Sequence, residues 1–272
     1  MKLLANCVIV RLITYNKKGM VYNMRYALVT GATSGIGIAL SRVLARKGYG
    51  IIMVSSSIKN LDKARKSMEQ RFPKSRIYII MEDLGVKGAA RSLYNKIHEK
   101  GIDIDILVNN AGFGIVGGTE KIDEGMDEKL LYLNMVTPTI LCKLFLKDMY
   151  KKGRGKILNV SSTAAFQPGP YNSTYFASKS YLYSYSRAIR YEAMEHGVNV
   201  CTLCPGSTRT KFFKKEGLKT PIWAMPAGKV AEYAIDGLWK NKAVIIPGRI
   251  NRIIRAVPSG IKLAVIARMK KR

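Results

Sequence analysis

Tyr175 and Lys179 stand four residues apart in the stretch YNSTYFASKS. On a helix this spacing places both side chains on one face, one turn apart. A phenol ionises near pKa ~10, too high for a proton carrier near neutrality, and a cation within about 4–6 Å lowers that value. The pair could therefore act as general acid toward a substrate oxygen in one direction and, through the phenolate, as general base in the other. It could equally be a neighbour contact on a helix surface, since fifteen tyrosines among so many lysines would give about one or two such pairs by chance. Of the fifteen, only Tyr175 has a lysine four residues on. Tyr171 lacks one and is a candidate neighbour of whatever pocket Tyr175 faces.

A second cluster suits a phosphate. The run Thr30-Gly31-Ala32-Thr33-Ser34-Gly35-Ile36-Gly37 follows a β-branched stretch and opens a helical pattern. Gly31 can take a tight turn, Gly35 lets backbone approach a pyrophosphate, and Gly37 allows close helix–strand packing. The helix N-terminus adds free N–H groups and a partial positive charge. At the first strand-to-helix junction this arrangement favours a dinucleotide over an ordinary glycine turn.

The elements that must hold these residues alternate regularly. Short apolar, β-branched runs at Tyr26–Thr30, Gly50–Val54, Arg76–Met81, Ile104–Asn109, Lys156–Ser161, Val198–Cys204 and Ala243–Ile246 are separated by helix-period segments. They lack in–out alternation, as expected when helices cover both faces of a parallel sheet. The expected fold class is α/β: a doubly wound Rossmann parallel sheet of about seven strands, three layers and one domain spanning 24–248. Residues 207–226, with Phe212, Phe213, Trp223 and Met225, break the alternation where such folds place substrate-covering loops. Residues 1–23 read as an extension: a membrane-touching or disordered arm, or an upstream start. Its apolar run is shorter than the roughly 20 residues that cross a bilayer. Residues 249–272 read as a basic amphipathic tail that lies on an anionic membrane or packs on its own domain.

The 272-residue chain, 47% hydrophobic, can bury one large core, and its formal charge of +28 should attract phosphate-bearing partners. The cations are spread over nearly every helical segment instead of forming one stripe with interleaved aromatics, so no nucleic-acid partner is expected. Cys201 and Cys204 form a C-x-x-C within a strand, where i and i+3 face opposite ways, so they are expected as buried hydrophobes and no metal site is expected.

Several motifs join the glycine turn. TGATSGIG, Asn109-Asn110-Ala111-Gly112 after the fourth strand, Asp83-Leu84, and Pro205-Gly206 after the sixth together resemble the short-chain dehydrogenase/reductase family over residues 24–248. Within it, the stretch around Tyr175 is most similar to bacterial ketone reductases that resemble 3-ketoacyl reductases and 17β-hydroxysteroid dehydrogenases. The resemblance implies a catalytic set of Asn134, Ser162, Tyr175 and Lys179, Ser162 standing thirteen residues before Tyr175. It implies that Ser162 holds the substrate oxygen and that Asn134 keeps a water beside Lys179. Read alone, Ser162 is also a plausible strand-end residue, Ser161 leaves the register open by one, and Asn134 also suits a helix cap or break. The implied cofactor contacts are Gly31, Thr33, Ser34, Gly35, Ile36, Gly37, Ser56, Asp83, Leu84, Asn109, Ala111, Gly112, Tyr175, Lys179, Pro205, Gly206 and Thr208.

The second strand ends without an acidic residue, and Ser55, Ser56, Ser57 and Lys59 could surround a 2′-phosphate, so NADP is preferred over NAD. Serines there also suit a helix cap. The expected function is hydride transfer between a nicotinamide cofactor and a ketone or secondary alcohol of a moderately apolar small molecule. The expected setting is a cytoplasmic homodimer or homotetramer with peripheral membrane contact through the tail. A dinucleotide-binding sensor or membrane-associated scaffold is the alternative. A sugar-nucleotide epimerase of the extended branch is disfavoured by the chain length and the turn spacing.

Overall fold

The computed structural model of the protein describes residues 14–15, 21–22, 24–217 and 219–270. Of the N-terminal extension it describes one short antiparallel pairing, Thr14–Tyr15 with Val21–Tyr22. The remainder of that segment, with Cys7, lies outside the described residues.

Seven parallel strands form the central sheet: β1 (Tyr26–Thr30), β2 (Gly50–Ser55), β3 (Ile77–Met81), β4 (Ile104–Asn109), β5 (Gly155–Val160), β6 (Val198–Leu203) and β7 (Val244–Ile245). Their spatial order is β7-β6-β5-β4-β1-β2-β3. Alternate residues feed opposite cores. Ala27, Val29, Ile51 and Met53 pack with Leu40, Leu44, Leu61, Met68 and Leu238 on one face. Leu28, Ile52 and Val54 pack with Leu93, Ile97, Phe145, Met149 and Ile189 on the other. With both faces buried, every strand position favours an apolar side chain, which is why the sequence runs are continuous.

On the first face lie α1 (Gly35–Arg46), α2 (Ile58–Arg71) and α8 (Ala227–Trp239); on the second, α3 (Ala89–His98), α5 (Thr137–Lys152) and α6 (Ser173–Met194). Ser57 caps α2 by accepting from the Asn60 amide at 3.4 Å, and Gly153, at φ 62°, ends α5 in the left-handed conformation. A shorter helix, α4 (Glu124–Leu131), runs into α5 through a π turn at Tyr132–Val136. Together Glu124–Lys152 is long and apolar enough to cross a membrane by length and composition, yet half of its apolar stretch is buried within the fold.

The chain leaves β1 toward β2 and β3, then returns to β4 on the other side of β1. That reversal makes a crevice at the carboxyl edge between β1 and β4, where open α/β sheets bind ligands. The covering segment holds the short α7 (Phe212–Lys215), and its ends pair in parallel, Thr208–Arg209 with Met225–Pro226. Trp223 is 74% exposed and turns to solvent, so the apolar cover comes from Phe212 and not from this indole. The tail forms α9 (Arg249–Ala256) and α10 (Ser259–Lys270). It docks on its own domain: Lys262 Nζ donates to the Phe166 carbonyl at 3.2 Å, and the Arg255 guanidinium lies 4.9 Å from the Phe166 ring centroid.

Candidate active site

At the β1 edge the Thr30 hydroxyl accepts from the amides of Asn110 at 2.9 Å and Ala111 at 3.0 Å. The Asn110 side-chain amide donates to the carbonyls of Thr30 at 2.9 Å and Gly31 at 3.2 Å. These bonds tie the β4 end to the glycine turn and set the crevice width. Asn110 was not singled out from the sequence, although its place in the N-N-A-G run was the available signal. Asn109 itself turns inward, donating to Asn159 Oδ1 at 2.8 Å and to Cys142 Sγ at 3.3 Å, which leaves its backbone for the crevice.

Gly31 and Gly35 have φ of 64° and 54°, in the left-handed region. A Cβ on Gly37 would overlap the Gly31 carbonyl oxygen. Ser34 precedes α1 in extended conformation, and its side chain makes no cap bond. The first-turn amides of α1 and the exposed Ser34 hydroxyl are thus presented outward, and they fit a pyrophosphate. Thr33 and Ile36 flank this turn, half-buried. At the β2 end Ser56 and Lys59 are exposed, while Ser57 is engaged as the α2 cap. Asp83 accepts from Lys129 Nζ at 2.7 Å and from the Gly85 amide at 3.0 Å, and the bond from Lys129 holds its carboxyl below the ordinary range. Leu84 is buried, its carbonyl accepting from Thr137 Oγ1 at 2.7 Å. Past β6, the Pro205 carbonyl accepts from the Thr163 amide at 2.9 Å, and Thr208 Oγ1 donates to the Gly206 carbonyl at 2.9 Å.

The proton-bearing residues gather next to this crevice. Asn134, fully buried in the π turn, donates to the Phe113 carbonyl at 3.0 Å and to Ser178 Oγ at 3.1 Å, and accepts from the Phe113 amide at 3.2 Å. Gly112 lets this cluster pack closely, because a Cβ there would lie 2.9 Å from Asn134 Oδ1 and 3.2 Å from Lys179 Nζ. Lys179 Nζ donates to the Val160 carbonyl at 3.1 Å and lies 5.7 Å from the Tyr175 ring centroid. Ser162 Oγ accepts from the Ala164 amide at 3.1 Å and lies close enough to Tyr175 to lower the phenol's pKa, whereas Ser161 donates to the Lys179 carbonyl at 2.8 Å. Of the two serines, Ser162 is the one that meets the phenol.

The electrostatics differ from the simple expectation. Burial holds Tyr175 above its ordinary value; the Ser162 bond opposes this, and the Glu216 carboxylate adds to it. Burial likewise pushes Lys179 down to about 8, so it keeps its charge at neutrality and loses it as pH rises past that value. Glu216 was not foreseen, though it is the sole carboxylate in residues 207–226. It is buried, its Oε1 accepts from Asn172 Nδ2 at 2.9 Å, and it crowds Gly114 together with the Tyr175 ring. Phe212 packs on the same ring at 5.5 Å between centroids. Tyr171, at φ 60°, accepts the Gly117 amide on its carbonyl at 2.9 Å and fixes the loop beside the site. Cys201 and Cys204 are buried free thiols, and burial raises Cys204 to about 12.

Comparison with known proteins decides the family. The pattern described as short chain dehydrogenase matches residues 25–220. The chain belongs to this family. Short-chain dehydrogenases similar to it include 17-beta-hydroxysteroid dehydrogenase type 3 of Mus musculus, 32% identical over 70% of this chain and 62% of the relative. Very-long-chain 3-oxoacyl-CoA reductase of Homo sapiens is 27% identical over 90% of this chain and 80% of the relative. A solved short-chain dehydrogenase from Sphingobium yanoikuyae in complex with NADPH superposes with a TM-score of 0.79 at 25% identity, covering 90% of this chain and 95% of the other. The chain spans 62–66% of the length of three of the relatives it matches, two of them type 3 17-beta-hydroxysteroid dehydrogenases.

Proposed function

We propose that the protein is an NADP-preferring oxidoreductase that reduces a ketone, or oxidises the matching secondary alcohol, of a moderately apolar small molecule. The observation that carries this reading is the meeting of Asn134, Ser162, Tyr175 and Lys179 beside a glycine turn that presents free helix amides. A bound nicotinamide supplies or accepts the hydride. Ser162 holds the substrate oxygen and Tyr175 gives it a proton, or takes one in the reverse direction. Lys179 favours the phenolate, and Asn134 keeps the lysine end of the site in register through Gly112 and Ser178. The positive charge of an oxidised nicotinamide acts in the same direction as Lys179, and together they offset the burial that raises the phenol.

Preference for NADP is supported by the lack of a carboxylate at the β2 end and by the NADPH complex of the Sphingobium relative. Residues 24–248 form the catalytic domain in this reading, with 249–272 as an arm that touches anionic membranes. The expected assembly is a homodimer or homotetramer through α5 and α6, with Tyr181 and Tyr191 exposed on α6 and Val136 exposed in the π turn that leads into α5. The setting is the cytoplasm or a membrane surface facing it.

The test follows NADPH and NADH absorbance with purified protein over ketones, quinones, 3-oxoacyl thioesters and steroids, alongside Tyr175→Phe. Turnover of at least one ketone is expected, falling by about 10²–10⁴ in the variant. Tight cofactor binding with no turnover on any of them would favour a sensor, and full activity in Tyr175→Phe would remove the proposed proton donor.

A further inference from the structure

A groove of about 520 Å³ between α1, α8 and the covering segment begins at Ser34 and Gly35 of the glycine turn and is lined by none of Asn134, Ser162, Tyr175 or Lys179. Arg42, Arg46, Arg71, Arg209 and Lys211 line it, with one carboxylate, Glu232. Two of the cations come from one face of α1, one closes α2, and two come from the covering segment, so residues remote in sequence converge. Arg46 and Glu232 stand 3.9 Å apart with both side chains 60% exposed, a pairing that water largely screens. Arg209 donates to the Ala224 carbonyl at 3.3 Å. Among the described residues no carboxylate pairs with Arg42, Arg71, Arg209 or Lys211.

Unpaired cations are ordinary in a chain with 46 Lys and Arg against 18 Asp and Glu. What is not ordinary is that four of them share one concave surface; the Arg42 Nε there is buried with no hydrogen-bond partner, as are Arg65 Nε and Arg76 Nη1 elsewhere. Elsewhere on α2 the pattern is different, with Arg65 set between Asp62 and Glu69. Like charges so gathered repel unless an anion lies among them. The groove begins at Ser34 and Gly35 and extends to Arg46, about 16 Å along the α1 axis, beyond the reach of a phosphate held by the first-turn amides.

We propose that the cationic length of this groove beyond the dinucleotide turn, lined by Arg42, Arg46, Arg71, Arg209 and Lys211, is a second phosphate site that takes a multiply phosphorylated ligand. The proposal rests on the oxidoreductase reading only in assigning the turn itself to the cofactor. The probes are inorganic tripolyphosphate, titrated calorimetrically into NADPH-saturated protein, and phosphatidylcholine vesicles with and without phosphatidic acid, followed by sedimentation. The proteins are wild type, the groove variant Arg42→Gln/Arg71→Gln, and a control, Lys63→Gln/Lys66→Gln, on exposed positions of α2 outside the groove.

NADPH-loaded wild type is expected to bind tripolyphosphate, the groove variant to lose about tenfold or more in affinity, and the control to stay within about twofold. Binding of phosphatidic acid vesicles with no response to tripolyphosphate, lost in the groove variant, identifies a lipid headgroup as the source of the same chemistry. The proposal is overturned if neither probe binds the loaded protein, or if groove and control variants lose affinity equally. It is also overturned if the groove variant weakens NADPH and spares NADH, for the groove then serves the cofactor's 2′-phosphate. Should NADPH not bind at all, the oxidoreductase reading fails by itself. The same titration on cofactor-free protein, groove variant against control, then still decides the groove.

Discussion

Glu216 faces the phenol that the chemistry needs, and its charge has a definite sign of effect. A carboxylate next to Tyr175 favours the neutral phenol, in addition to the larger effect of burial. Alcohol oxidation requires the phenolate, so its kcat/KM should rise with pH on a limb set by Tyr175. Glu216→Gln keeps an acceptor for Asn172 and removes the charge, so that limb should move to lower pH, read from kcat/KM profiles of the two proteins. A limb that stays in place or moves up would separate Glu216 from the proton donor. Lys179 carries the opposite lesson, because burial lowers it from 10.5 to about 8. The folded state holds this proton less readily than the unfolded chain, so the penalty is full below about 8 and fades as pH rises to 10.5. Lys179→Met should therefore abolish turnover yet stabilise the fold at neutral pH by about 1–3 kcal/mol, after losing roughly 1 kcal/mol of hydrogen bond to Val160. Urea unfolding near neutrality and near the upper end of that window checks it: the gain should shrink at high pH, and a variant less stable at neutral pH refutes it.

Among the elements, the turn between β1 and α1 bears the tightest constraint. Gly37→Ala would drive a methyl into the Gly31 carbonyl oxygen and to 2.5 Å from the Asn110 amide nitrogen. A cost of about 1–3 kcal/mol follows, and the KM for the cofactor should rise because the same carbonyl positions the turn. Gly228→Ala, whose added methyl meets open space at the start of α8, should be neutral or stabilising by up to about 1 kcal/mol. Thermal melts with cofactor titrations compare the pair, and equal effects would contradict the packing argument. The strands were readable because each is a short β-branched run bounded by helical periodicity, a local property; β1 matches its expected Tyr26–Thr30 span. The π turn carrying Asn134 was not readable, since its extra backbone residue leaves no pattern in composition. Glu216 was legible only as an isolated acidic residue in a basic loop, because its approach to Tyr175 depends on how the whole covering segment folds back. The same holds for the groove: cations spread evenly along the chain give no sign that five meet in space.

At the scale of the whole molecule, a formal charge of +28 draws the protein to any anionic surface, so binding to acidic vesicles at low salt says little about the tail. What distinguishes the tail is its apolar exposure. Ile250 and Ile253 are 68% and 67% exposed on α9, and Ile261 and Val265 are exposed on α10, while Asn251, Arg255 and Lys262 hold these helices to the domain. Long-range attraction is largely screened at physiological salt, where the Debye length is about 8 Å, but insertion of buried apolar area at about 25 cal/mol per Å² is not. Full-length protein should therefore sediment with phosphatidylserine vesicles at physiological salt, and a chain ending at Gly248 should not, although both bind at low salt. Because that truncation also removes the contacts to Phe166, Ile250→Ser/Ile253→Ser provides the second arm, leaving the docking cations in place. It should retain the thermal midpoint of the wild type and lose most of the salt-resistant binding. Equal sedimentation of all three proteins at physiological salt would show that the tail is only a docked arm of its own domain.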